Sequence, residues 1–130
     1  MPRYKDPDYM KRYRAENRER LLAYGRAYAQ TPERRAGENR RNTAKRAALR
    51  AWCDSLKTAP CTDCGRCYIP YVMDWDHLPG SGKATAVGKM AADKWSRESI
   101  LAEITKCELV CANCHRLRTY WRRHPLQATG

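Results

Sequence analysis

Phenylalanine is absent from this chain of 130 residues, and the apolar residues make up only 42%, many of them alanine. A core built from such material is small, so burial alone is a weak source of stability for a chain with room for one compact domain and an appendage. No apolar stretch approaches the roughly 18 residues of a membrane span. The N-terminal MPRYKDPDYMKRYR is charged throughout and lacks the apolar segment of a secretory signal. A cytoplasmic location and no membrane partner are therefore expected. Acidic residues are also scarce, at 14 against 26 Lys and Arg, for a net charge of +12. An even cysteine count is lacking as well. Seven cysteines cannot close a complete disulfide framework, and in a reducing compartment paired cysteines read first as metal ligands.

The charge is uneven. Residues 1–60 hold 16 basic and 7 acidic side chains, and residues 61–130 hold 10 and 7. A polyanion is the expected partner, and nucleic acid suits an Arg-rich and Tyr-rich segment best, because guanidinium forks match phosphate and binding releases counterions.

Asp6-Pro7 and Thr31-Pro32 each set a capping side chain before a proline at the first helical position, with an acid just beyond. These signals predict helices over 7–29 and 32–57. The first has only a thin apolar stripe of Tyr9, Tyr13, Leu21, Leu22, Tyr24 and Tyr28. In the second, Ala47, Ala48, Ala51, Trp52 and Leu56 offer a face that could dock on the module C-terminal to it. Arg40, Arg41, Lys45 and Arg46 are left outside, as candidate contacts to the nucleic acid. After Pro60 the elements shorten. Residues 68–76 read as a strand or hairpin with Pro70 at its edge, and 78–95 as a loop. Ser96 caps a helix with Ile100, Leu101 and Ile104 inward, and a final helix begins near Ala112.

Two CxxC knuckles stand 46 residues apart, Cys61/Cys64 and Cys111/Cys114. Two residues between thiolates let one turn aim both sulfurs at one ion, and two such turns complete a four-cysteine structural Zn²⁺ site. Redox chemistry is the alternative reading of a CxxC, but it needs no second copy. Cys53, Cys67 and Cys107 have no partner spacing and read as small buried apolar residues.

Between the knuckles lies Asp74-Trp75-Asp76-His77-Leu78-Pro79-Gly80, and the second knuckle sits in Cys107-Glu-Leu-Val-Cys-Ala-Asn-Cys-His115-Arg116. Taken separately, Asp74 and Asp76 read as turn residues and His115 as a further zinc ligand. Taken together, a carboxylate and two imidazoles could hold a divalent cation and move a proton. Over about residues 61–120 this pattern resembles the HNH endonucleases, in particular the zinc-braced type of phage genomes.

The resemblance implies a small α+β fold, a ββα-metal finger braced by the four-cysteine zinc site. It implies metal-dependent DNA cleavage with His77 as general base. Asp76 and His115 would be ligands of a catalytic Mg²⁺ or Mn²⁺, with Ni²⁺ or Zn²⁺ as alternatives. The family's middle Asn falls here where Lys106 and Cys107 stand, which leaves Asn113 as the candidate orienting residue. Asp74 is a candidate partner behind the metal ligands. Adjacent strand residues face opposite sides, so Asp76 and His77 reach one centre only if the chain bends, and Leu78-Pro79-Gly80 is the place for it.

The expected organisation is a basic helical DNA-binding arm over 1–58, the zinc-braced nuclease domain over 59–124 and a tail over 125–130. Arg116, Arg118, Arg122 and Arg123 extend the DNA footprint on the last helix, and His124 is a phosphate contact or solvated. Phage terminase or other packaging proteins are candidate partners, in the host cytoplasm. A junction-resolving recombination endonuclease is the rival enzyme, although its second knuckle normally ends in Asn where this chain has His115. A non-catalytic zinc-containing DNA-binding protein is the rival from another class.

Overall fold

A computed structural model describes residues 6–127. The chain divides into two compact units, Met1–Thr43 and Ala44–Gly130. In the first unit, helix α1 spans Tyr9–Glu16 and α2 spans Arg18–Ala29. Asp6 opens the segment as its composition predicts: Oδ1 accepts the Asp8 N–H at 2.9 Å, and its carbonyl accepts that of Tyr9 at 3.1 Å. The single helix expected over 7–29 is interrupted at Asn17, where φ is −108° and ψ 15°. There the Asn17 amide donates to the Tyr13 carbonyl at 2.9 Å, so a side chain competes with the helical ladder. Neither α1 nor α2 buries a residue.

Helix α3 spans Pro32–Ser55. It starts at the predicted proline, with Thr31 Oγ1 accepting the Arg34 N–H at 3.4 Å. Its last turns belong to the second unit, so the boundary falls at Ala44 and not at the expected 58/59. Leu49 and Cys53, one turn apart, are buried in that unit's core together with Val87, Met90, Ala91 and Ile100. This corrects the expected docking face: Ala47, Ala48 and Ala51 do not enter the core, while Trp52 packs against it and Leu56 is half-buried. A leucine removes more apolar surface from water than an alanine, and the helix is turned accordingly.

Helix α4 spans Val87–Ala92, inside the stretch expected to be loop, and α5 spans Arg97–Ile104. Ser96 caps α5, its Oγ accepting the Ser99 N–H at 3.1 Å. The Arg97 guanidinium lies 5.1 Å from the centre of the Trp52 ring, a cation–π contact joining α5 to the end of α3.

Strand β1 spans Met73–His77 and pairs antiparallel with β2, Cys107–Cys111, with Met73 opposite Cys111 and His77 opposite Cys107. Pro70–Val72 forms a single 3₁₀ turn before β1, so only the end of the predicted 68–76 strand is extended. Helix α6, Ala112–Arg123, comes directly after β2. A second apolar cluster of Cys61, Met73, Leu109, Val110 and Cys111 lies under this ribbon, and Trp75 packs against both clusters. The result is a small α+β arrangement with one two-stranded sheet.

The three other cysteines behave differently from one another. Cys53 is buried, Cys107 is half-buried with its thiol 3.5 Å from the Glu103 carbonyl, and Cys67 is exposed, contrary to expectation. Of the expected tail, 128–130 lie outside the described residues. Among the described residues no helix is long and apolar enough to cross a membrane.

The boundary inside α3 is testable by urea denaturation. Residues 44–130 should unfold cooperatively, whereas 59–130, stripped of Leu49, Trp52 and Cys53, should not. Leu49→Ala should cost about 2–4 kcal/mol, and Ala48→Ser should stay within about 0.5 kcal/mol of the parent.

Candidate functional site

The two knuckles meet because the chain between them returns to its starting point. Gly65, at φ +72°, donates its N–H to the Cys61 carbonyl at 2.9 Å and closes the first turn in a conformation that favours glycine. Thr62 donates from both its N–H (2.9 Å) and its hydroxyl (2.8 Å) to the Leu109 carbonyl, which fastens the first knuckle to β2. Cys111 ends β2, and Cys114 lies in the first turn of α6.

All four sulfurs fall within 4.8 Å of one another, and Cys64 Sγ is 4.0 Å from Cys111 Sγ. Four thiolates around one ion, with bonds of about 2.3 Å, sit about 3.8 Å apart, so the set can hold one thiophilic metal ion. Burial alone would raise the Cys61 thiol. N–H groups of Cys64, Cys111 and Asp63 and the Cys64 thiol outweigh it and bring the pKa down to about 6. Cys114 is pushed up to about 12, chiefly by its hydrogen bond with Cys111. Thiolates are the form that binds a metal, so binding at this site would release protons.

Strand alternation turns Asp74 and Asp76 to α6, where residues spaced by a helical turn meet them. His115 Nδ1 lies 3.0 Å from Asp74 Oδ2, and its Nε2 lies 3.4 Å from Asp76 Oδ1. Asp76 is buried, and it also accepts from Arg118 Nη1 at 3.0 Å and from Arg122 Nη1 and Nη2 at 2.9 and 2.8 Å. Burial alone would raise the Asp76 carboxyl. The bonds from Arg122 and Arg118 outweigh it and hold the pKa below the ordinary carboxylate value.

His77, at the end of β1, turns the other way and places Nε2 2.8 Å from Glu103 Oε1 on α5. Gly80 at φ +74° makes the bend just beyond it. One cleft is nevertheless lined by Asp76, His77 and His115, and by Lys83, Thr119 and Arg122.

The predicted residues do not all gather there. Asn113, the candidate orienting residue, is exposed on α6 beside Arg116, Leu117 and Tyr120 and is not among the residues that line this cleft. Arg118 is not held out for DNA. It donates Nε and Nη2 to Asp63 at 2.7 and 2.6 Å, Nη1 to Asp76 and Nη2 to Glu108 at 2.5 Å, so it ties the first knuckle, both strands and α6 together. Arg46 donates Nε to the Ala92 carbonyl at 2.9 Å and holds α4. Arg40, Arg41, Lys45, Arg116 and Arg123 are exposed, and His124 lies against Tyr120 with ring centres 4.4 Å apart.

Two residues near the site escape a reading of the sequence. Glu103 carries a signal: it interrupts the apolar stripe of α5 between Ile100 and Ile104, and an acid on a buried face needs a partner. Lys83, in a polar loop, carries none. The chain matches no model of a known protein family, no curated protein and no solved structure.

The purified chain should contain close to one tightly held metal ion by elemental analysis. His115→Ala should retain it. Cys61→Ser should lose it together with the cooperative unfolding transition, since four-thiolate binding of this kind is worth on the order of 10 kcal/mol at neutral pH.

Proposed function

We propose that the chain is a metal-dependent DNA endonuclease of the HNH type, with Zn²⁺ in the four-cysteine site. One observation carries the reading. His115 is held between two carboxylates, its Nδ1 against Asp74 and its Nε2 facing Asp76 Oδ1 at 3.4 Å, on the wall of a cleft that also contains His77. A neutral ring that donates Nδ1–H to Asp74 presents a lone pair to Asp76. Two acceptors in that position suit a shared divalent cation, with Asp74 fixing the tautomer of the ligand behind it. The order of β1, β2 and α6 along the chain, strand, strand and helix, supports the reading.

Asp76 and His115 would hold Mg²⁺ or Mn²⁺, with Ni²⁺ or Zn²⁺ as alternatives. Such an ion, when bound, neutralises the charge that builds on the phosphate and on the departing 3′ oxygen. His77 takes the proton of the attacking water. Arg122, whose side chain is 37% exposed, can exchange its bonds to Asp76 for a phosphate oxygen, and Lys83 brings a second cation to the same cleft. The exposed Arg40, Arg41 and Lys45 of α3, with the basic residues of α1 and α2, track the DNA backbone. Phosphate contacts of this kind position the duplex without reading its sequence.

Plasmid nicking tests the reading. The wild type should relax supercoiled DNA in Mg²⁺ or Mn²⁺, and His77→Ala should be slower by about 10²–10⁴-fold. A wild type that binds DNA yet never cuts it with Mg²⁺, Mn²⁺, Ni²⁺ or Zn²⁺ excludes catalysis. The arm is tested separately. Removing residues 1–43 should weaken DNA binding and flatten the slope of log affinity against log salt by about 0.9 for each phosphate that the arm neutralises; an unchanged slope would remove the arm from the interface.

A further inference from the structure

Among the described residues only two charged side chains are buried, Asp76 and Glu103, at 4% and 3% exposure. Two arginines account for Asp76. Glu103 has a different set: Oε1 accepts the Ala84 N–H at 2.9 Å and contacts His77 Nε2 at 2.8 Å, and Oε2 accepts from Lys106 Nζ at 2.9 Å. Lys106 donates in turn to the Gly82 carbonyl at 3.0 Å. A buried carboxylate needs compensation, and a lysine with a backbone N–H would supply it. The imidazole is the contact that this structural need does not explain.

Glu103 is held ionised. The Lys106 ammonium, the Ala84 N–H and the His77 contact together bring its pKa to about 2 against the opposing effect of burial. An ionised carboxylate only accepts hydrogen bonds. The His77 nitrogen facing it is therefore the donor, and in a neutral ring that arrangement leaves the lone pair on Nδ1. The His77 side chain is 8% exposed and fixed in orientation, at the edge of the cleft that holds Asp76 and His115.

We infer that Glu103 is the positioning residue of the general base: it holds His77 as the Nε2–H tautomer, presents Nδ1 to the attacking water and stabilises the imidazolium once the proton has moved. This inference rests on the nuclease reading above and gives it a specific nitrogen. Water loses a proton to Nδ1 as its oxygen forms the new P–O bond; the bond to the 3′ oxygen breaks with its electron pair on that oxygen, which takes a proton from solvent. The imidazolium then returns its proton to solvent, and Glu103 remains unprotonated throughout. A carboxylate behind an imidazole that acts as a base fixes tautomer and orientation in this way.

The test compares Glu103→Gln with Lys106→Met. Lys106→Met removes the other ion pair of the same carboxylate and leaves the His77 contact in place. In plasmid nicking with Mn²⁺, Glu103→Gln should lower kcat by at least about 100-fold while KM for DNA stays within about threefold. Lys106→Met should lose less kcat than Glu103→Gln, because the Ala84 N–H and the His77 contact stay on the carboxylate. Ring ¹⁵N–¹H correlation spectra of the wild type should show His77 protonated at Nε2, and those of Glu103→Ala should show a mixture of tautomers.

A Glu103→Gln protein that cuts within about threefold of wild type overturns the inference while leaving the nuclease reading standing. So does an equal loss of kcat in Lys106→Met, which would make the carboxylate a staple for the 82–84 loop. If no form of the protein cuts DNA, or if Glu103→Gln fails to fold, the wild-type spectrum still decides: Nδ1–H at His77 would overturn the assignment.

Discussion

The meeting of Cys61 and Cys64 with Cys111 and Cys114 is the constraint on which the rest of the second unit depends. It closes a long segment on itself at one point, and that point lies at the junction of β2 and α6. With Cys111 opposite Met73, the closure sets the register of the ribbon. It thereby decides that Asp74 and Asp76 look toward α6, while His77 looks toward α5. It also sets where α6 starts, and so which of its residues, His115, Arg118 and Arg122, lie opposite the two aspartates. A chain without phenylalanine, whose apolar clusters are two small groups joined through Trp75, has few other means of enforcing such a register.

Around this closure the molecule buries two carboxylates and treats them differently. Asp76 is surrounded by guanidinium groups and an imidazole, which makes a site rich in exchangeable cations. Glu103 is surrounded by one imidazole, one ammonium and one backbone N–H, which makes a fixed bracket. The two carboxylates sit on opposite sides of β1, and His77 reaches the cleft of Asp76 because the ribbon ends there and the chain turns at Gly80.

What could be read from the sequence was local. Thr31 and Ser96 cap helices through bonds that span three residues, so their meaning is visible in a short window, and so is the knuckle turn at Gly65. The grouping of Asp76, His77 and His115 was legible from the residue types and the flanking cysteines, and the three line one cleft. Long-range pairing was legible only at the two knuckles, whose repeated CxxC spacing announced the meeting of Cys61/Cys64 with Cys111/Cys114. Arg118 looked like its neighbours Arg116 and Arg123, and only the approach of Asp63, Asp76 and Glu108 separates it from them. Leu49 was overlooked beside a more regular row of alanines, because the turn of a helix is decided by the surface it meets. Strand β2 was hidden inside a motif already read as a knuckle. Glu103 showed an irregularity in α5 but nothing that named its partner, which lies 26 residues earlier in the chain.

The guanidinium of Arg118 bears on how this part of the chain can vary. It joins Asp63 of the first knuckle, Asp76 of β1 and Glu108 of β2, and removing it would leave three acids facing one another with Arg122 alone to offset them. Neutralising any one of the acids would instead leave the arginine with unmatched donors and shift it toward the other two. Positions 63, 76, 108 and 118 therefore form one unit of change. A redesign of the cleft that alters Asp76 has to begin with the charge placed at the knuckle, distant from it in sequence although adjacent in space.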